Sequence, residues 1–161
     1  MANPVSAYNL YATGRGYGEA AKMIFLSSHY ETKKVQVKLP LDLLIALSLE
    51  LHLKAYLRHN GWTEPQLKNP TERHNLEALY SAAENIGLTS VHPKLAELVT
   101  ILAPHHKRHE TRYMPDETSY PLLDMPLTFC VLDALEHRTG IDVGAVAIAA
   151  AFLSEISDST E

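Results

Sequence analysis

The chain predicts an all-α fold, an antiparallel bundle of about five to six helices joined by short loops. Three observations carry this. Apolar residues recur at helical spacing, as in Leu76, Leu79 and Ala83 or in Leu95, Leu98, Val99 and Leu102. Asn-Pro pairs and single glycines bracket those stretches as start and stop signals. No segment sustains strand alternation, since Val35-Gln36-Val37 is too short to form one.

The first helix is expected from Asn3-Pro4, a cap followed by proline, to about Tyr30. Gly14-Arg15-Gly16-Tyr17-Gly18 interrupts it. This is not the G-x-G-x-x-G phosphate pattern, and no strand precedes it. Ala7, Gly14, Gly18 and Ala21 instead share one helix face, where a neighbouring helix can approach closely. Tyr30 to Lys38 reads as a polar connector. The second helix is expected from Pro40 to Asn60-Gly61, followed by a loop through Pro65. Asn69-Pro70-Thr71-Glu72 then supplies cap, proline and acid for a third helix with the stripe Leu76, Leu79, Ala83 and Ile86, ended by Gly87. A fourth opens at Ser90 to Pro93, and Pro104 kinks it or begins a new turn. Met114 to Met125 reads as a loop. A fifth helix spans about Pro126 to Thr139 and stops at Gly140. Asp142 is then in place to cap an alanine-rich last helix, Val143 to about Ser157.

The 161 residues, 46% of them hydrophobic, predict one domain over 1–161 with a full core and an acidic tail from about residue 155. A single cysteine, Cys130, precludes an internal disulfide, suits a reducing cytoplasm and is expected in the core. The start lacks a signal-peptide pattern, and the most apolar stretch, Leu39 to Leu57, contains Asp42, Glu50, His52 and Lys54. A membrane span is therefore not expected. The net charge of −5 disfavours coating nucleic acid through bulk charge. Base nevertheless gathers in His105-His106-Lys107-Arg108-His109 and Arg112, which leaves room for a local anion site.

The chemistry begins in the second helix. It is apolar nearly all round, which is the mark of a central, buried helix. Charged groups set into it must be paired or must border a cleft. Glu50 and Lys54 stand four apart with the acid first, the spacing of an intrahelical ion pair. Buried, such a pair can also hold a polar group from another helix, and His74 is the candidate. Ser48, His52 and His59 form a separate stripe, read as core or interface groups. His105 and His109 have chelating i,i+4 spacing, but no H-E-x-x-H or E-x-x-H accompanies them. A solvated basic turn is the expected reading, with no metal and no cofactor. Arg108 and Arg112 offer planar forks suited to phosphate, and Tyr113 a stacking face; equally, Arg112 can pair with an acid and Tyr113 pack as a lid. No Ser/His/Asp motif, P-loop or zinc ribbon is present.

Ser48-Leu49-Glu50-Leu51-His52-Leu53-Lys54-Ala55, His74-Asn75-Leu76-Glu77-Ala78-Leu79 and Arg112-Tyr113, in this order, resemble the motifs of HEPN domains (higher eukaryotes and prokaryotes nucleotide-binding). The resemblance spans about Leu39 to Pro115. It implies a helical bundle, often a homodimer, that works on nucleotides or single-stranded RNA, commonly in toxin–antitoxin, defence or stress systems. The expected ligand-binding residues are then Glu50, Lys54, His74, Asn75, Arg112 and Tyr113 in the resembling segments, together with Arg108 for its phosphate-suited side chain. Many such domains are metal-independent ribonucleases with an arginine, four to six variable residues and a histidine. Here that pair is missing. Tyr113, Met114 and Pro115 follow Arg108 at the required spacing, and Glu117, Thr118 and Ser119 follow Arg112.

Nucleotide or RNA binding is the leading expectation. A ribonuclease with an atypical His/Arg site, drawn from His74, His109 and Arg112, is the second. A dimeric protein-interaction module, resting on the glycine face and the alanine-rich last helix, is the third.

Overall fold

The structure, a computed structural model, describes residues 5–108, 122–145, 147 and 148. Among them are five long helices and two short ones: α1 (Ala7–Leu26), α2 (Ser28–Thr32), α3 (Lys34–His59), α4 (Glu64–Leu67), α5 (Leu76–Asn85), α6 (Leu95–Lys107) and α7 (Met125–Asp142). They form a helical bundle, and no described residue lies in a strand. Among the described residues no helix is long and apolar enough to cross a membrane.

α3 is the hub, packed against α1, α5, α6 and α7. Leu41, Ile45, Leu49, Leu53 and Leu57 along it are almost completely buried. Side chains on both flanks of that leucine row are buried as well, Asp42, Ser48, Glu50, His52 and Lys54 among them. A helix surrounded by neighbours has no solvent face, so each of its polar groups needs a partner from elsewhere in the bundle.

α1 lies on α3 through the expected small residues. A Cβ on Gly14 would sit 3.1 Å from Leu51 Cβ and 3.3 Å from the Ser48 carbonyl oxygen, and one on Gly18 would sit 3.1 Å from Ser48 Oγ. The glycines therefore serve close helix packing. This face is consumed inside the molecule and is not offered to a partner.

Several boundaries differ from expectation. Asn3-Pro4 lies outside the described residues, and Ser6 caps α1, accepting from the Asn9 N–H. The expected connector Tyr30 to Lys38 is largely helical. Ser27, in extended conformation, separates α1 from α2, and α3 begins at Lys34, ahead of Pro40. Proline is tolerated there because Pro40 and residues 34–36 are exposed, so the carbonyl freed by the missing N–H can be hydrated. Pro104 likewise sits on the outside of α6 without ending it. Ile86 follows the end of α5 and is 41% exposed, so it is not part of that helix's buried stripe.

α7 starts at Asp124, which accepts from Leu127 N–H, and runs through Gly140 to Asp142. Gly140 is where Tyr11 crosses: a Cβ there would lie 2.9 Å from the tyrosine hydroxyl oxygen. The glycine with positive φ at this end is Gly144 (φ 72°). Asp142, expected to cap the last helix, is the final residue of α7 and accepts from Arg138 Nε at 2.9 Å. Cys130 is exposed on α7, contrary to the core position expected from its apolar neighbours. The Met114 to Met125 loop apart from its last residues, most of the last helix and the acidic tail lie outside the described residues.

Candidate functional site

The helix expected to open at Asn69-Pro70 is a single turn that stops at Asn75. Asn69 Oδ1 accepts from the Thr71 N–H, and Arg73 N–H bonds to the Asn69 carbonyl at 2.8 Å. Asn75 then adopts an extended conformation and caps α5 with its own side chain, accepting from Ala78 N–H. The Arg73 carbonyl is diverted from the helical ladder: it accepts from Lys54 Nζ at 2.6 Å. His74 therefore stands on a turn pinned to α3, at the entrance to α5.

Glu50 is the centre of the cluster that results. Its Oε1 accepts from Lys54 Nζ at 2.5 Å. Its Oε2 faces His74 Nδ1 at 3.1 Å and His106 Nε2 at 2.5 Å. An ionised carboxylate only accepts, so both imidazoles present an N–H to it. The two rings stand nearly perpendicular, with centroids 6.1 Å apart. Burial pushes the Glu50 carboxyl pKa up, but hydrogen bonds and charge from His106 and Lys54 outweigh this and hold it at about 2. Glu50 is thus a buried anion. His106 is equally buried, and its Nδ1 has no hydrogen-bond partner among the described residues.

In front of His74 opens a cleft of about 240 Å³ lined by Pro70, Thr71, Arg73, His74, Asn75 and Lys107. It falls below the range of about 300–1,000 Å³ usual for drug-sized ligands and suits a phosphate-sized group. Its charged lining residues among those described, Arg73 and Lys107, are cationic, and the Glu50 carboxylate that faces His74 is met by Lys54.

The expected residues divide accordingly. Glu50, Lys54 and His74 meet, and Asn75 lines the adjoining cleft. Arg108 caps the end of α6 and donates from Nε to the Pro104 carbonyl at 3.1 Å. His109, Arg112 and Tyr113 lie outside the described residues. His105 acts near Asp42: burial raises the aspartate pKa, opposed by the Lys38 hydrogen bond and charge and, less, by His105. Ser48 and His52 are buried, whereas His59 is exposed. His52 Nδ1 lies 3.1 Å from Thr139 Oγ1, and the Thr139 hydroxyl also faces the Leu135 carbonyl at 2.8 Å. His52 Nε2 is unpartnered, and burial lowers this histidine's pKa to about 4.

His106, Arg73 and Lys107 were not among the expected site residues. His106 had a readable signal, because it extends the buried row Leu95, Val99 and Leu102 at alternating four- and three-residue steps. A polar residue continuing an apolar row faces the interior. Lys107 stands in the basic run that leaves room for an anion site, whereas Arg73 gives no signal and acquires meaning only from the cleft the two share.

No protein-family model matches the chain, and neither a curated protein nor a solved structure is similar enough to count as a relative.

Proposed function

We propose that the chain is a HEPN-like module that binds the phosphate of a nucleotide or of single-stranded RNA in the cleft beside His74. The observation that carries this is the cationic lining. Arg73 and Lys107 border a phosphate-sized opening, and Asn75 and Thr71 add hydrogen-bonding groups at the N-terminal end of α5. The buried Glu50–Lys54 pair holds His74 and the Arg73 carbonyl in place beneath it. On the sequence resemblance, the setting of such a module is a toxin–antitoxin, defence or stress system.

The test is anisotropy of fluorescent single-stranded RNA and of a fluorescent nucleotide in EDTA, at two salt concentrations. Wild type is compared with Arg73→Ala/Lys107→Ala. Saturable binding is expected, weakened at least tenfold in the double variant. The dependence of log affinity on log salt should flatten by roughly 0.7 per lost phosphate contact. Absence of binding to both probes overturns the reading, and binding unchanged in the double variant removes the cleft from it.

A ribonuclease is the second reading, and the Glu50–His74 contact favours it. A carboxylate that orients one imidazole nitrogen is the arrangement of a general acid–base histidine. It predicts RNA cleavage in EDTA that disappears in His74→Ala. Cleavage untouched by that change sinks it.

A further inference from the structure

We propose that Glu50, His74 and His106 form a binding site for a divalent transition-metal ion of the zinc class. Two imidazole nitrogens and one carboxylate oxygen, brought from a turn, α6 and α3, lie within 4.8 Å of one another. Zinc takes such His/His/carboxylate sets with bonds of about 2.0–2.2 Å, which separates tetrahedral ligands by about 3.3 Å. His74 Nδ1 is already 3.1 Å from Glu50 Oε2, close to that spacing. His106 Nε2, at 2.5 Å, must draw back by about 0.8 Å to admit the ion, within reach of a small turn of the Glu50 side chain.

The surroundings fit a metal site in two respects. Lys54 occupies Oε1 and leaves Oε2 as a single oriented donor, the role a hydrogen bond plays behind a ligating carboxylate. The site is also closed on the α3 side, where Glu50 and His106 are buried, and reachable past His74, whose side chain is 29% exposed. The imidazoles bind the ion through the nitrogens that now face Glu50, so each moves its proton to the other ring nitrogen, which for His106 is the buried Nδ1. The fourth position then falls to water or to a phosphate oxygen in the cationic cleft. Two nitrogen ligands select zinc and its neighbours over magnesium and calcium, which prefer all-oxygen sets.

The experiment is calorimetric titration of Zn2+ into chelator-stripped, full-length protein, with Mg2+ as comparison and Co2+ absorption as a report on the ligand set. One ion per chain is expected. The affinity should fall at least tenfold in Glu50→Gln and in His74→Asn and stay unchanged in His105→Asn, and Mg2+ should give no saturable heat. Co2+-loaded wild type should show a visible band that His74→Asn loses. Circular dichroism checks that each variant is folded, and because His74 is partly exposed, its variant keeps the test valid if a change at buried Glu50 unfolds the chain. Absence of Zn2+ binding overturns the proposal. So does binding that survives in folded His74→Asn, which places the ion elsewhere. The RNA measurement is made in EDTA, so either result can stand while the other fails.

Discussion

Lys54→Met tests whether the cluster is a single electrostatic unit. The change removes the cation from Oε1 and leaves Glu50 buried against two histidines. The Glu50 carboxyl is held at about 2 against an ordinary 4.5. At 1.36 kcal/mol per pKa unit, its partners contribute about 3 kcal/mol beyond the cost of burying it. Stranding a buried charge typically costs about 3–5 kcal/mol, so Lys54→Met should destabilise by about that much. Glu50→Gln should cost about 3 kcal/mol. The double variant should cost less than the sum by about 1–3 kcal/mol, because neither change then strands a charge. Urea denaturation of the four proteins in EDTA measures the cycle. The same groups set a pH signature. A depressed acid pKa stabilises the fold fully above 4.5, and that stability drains away as pH falls toward 2. Wild type should show this loss and Glu50→Gln should lack it. Additive single costs, or a Lys54→Met variant as stable as wild type, would refute the picture of a mutually dependent cluster around a buried carboxylate.

His52 should make the fold acid-sensitive at a higher pH. Its pKa is lowered from 6.5 to about 4 by burial, so the unfolded chain takes the proton first and stability falls as pH drops through that window, by about 3 kcal/mol in all. Urea midpoints at about pH 7 and about pH 4 should fall further for wild type than for His52→Gln, and equal falls would contradict the burial argument. Glycine substitutions in α1 should separate packing from propensity. Gly16→Ala meets nothing within 4 Å and should stabilise by about 0.5–1 kcal/mol, whereas Gly14→Ala meets Leu51 and the Ser48 carbonyl and should destabilise relative to it. Thermal melts decide, and equal shifts would deny the close approach of α1 to α3. Asp42→Asn should raise stability at neutral pH, because burial raises this acid's pKa despite Lys38, so its charge costs stability there. A lower melting temperature in Asp42→Asn would show that the Lys38 pair outweighs the burial.

Much of the bundle was legible from residue spacing. The buried row of α3, the small-residue face of α1 and the stripe of α5 follow from a 3.6-residue period, which is local and survives without tertiary information. The meeting of Glu50, Lys54 and His74 was also legible, because charges in an all-round apolar helix require a partner and few polar residues were placed to supply one. Boundaries failed where a side chain reached across the fold. The turn before α5 ends at Asn75 while Lys54, nineteen residues earlier than Arg73, takes the Arg73 carbonyl. Cys130 failed because α7 turns one side outward, and apolar sequence neighbours do not reveal which side that is. Residue spacing alone makes this chain helical and requires one helix to bury charge. That His106 completes the cluster, and that Arg73 and Lys107 share its mouth, came from the packing of the helices. Periodicity assigns a residue to a face of its own helix, whereas the partner across that face depends on how helices from distant parts of the chain are arranged.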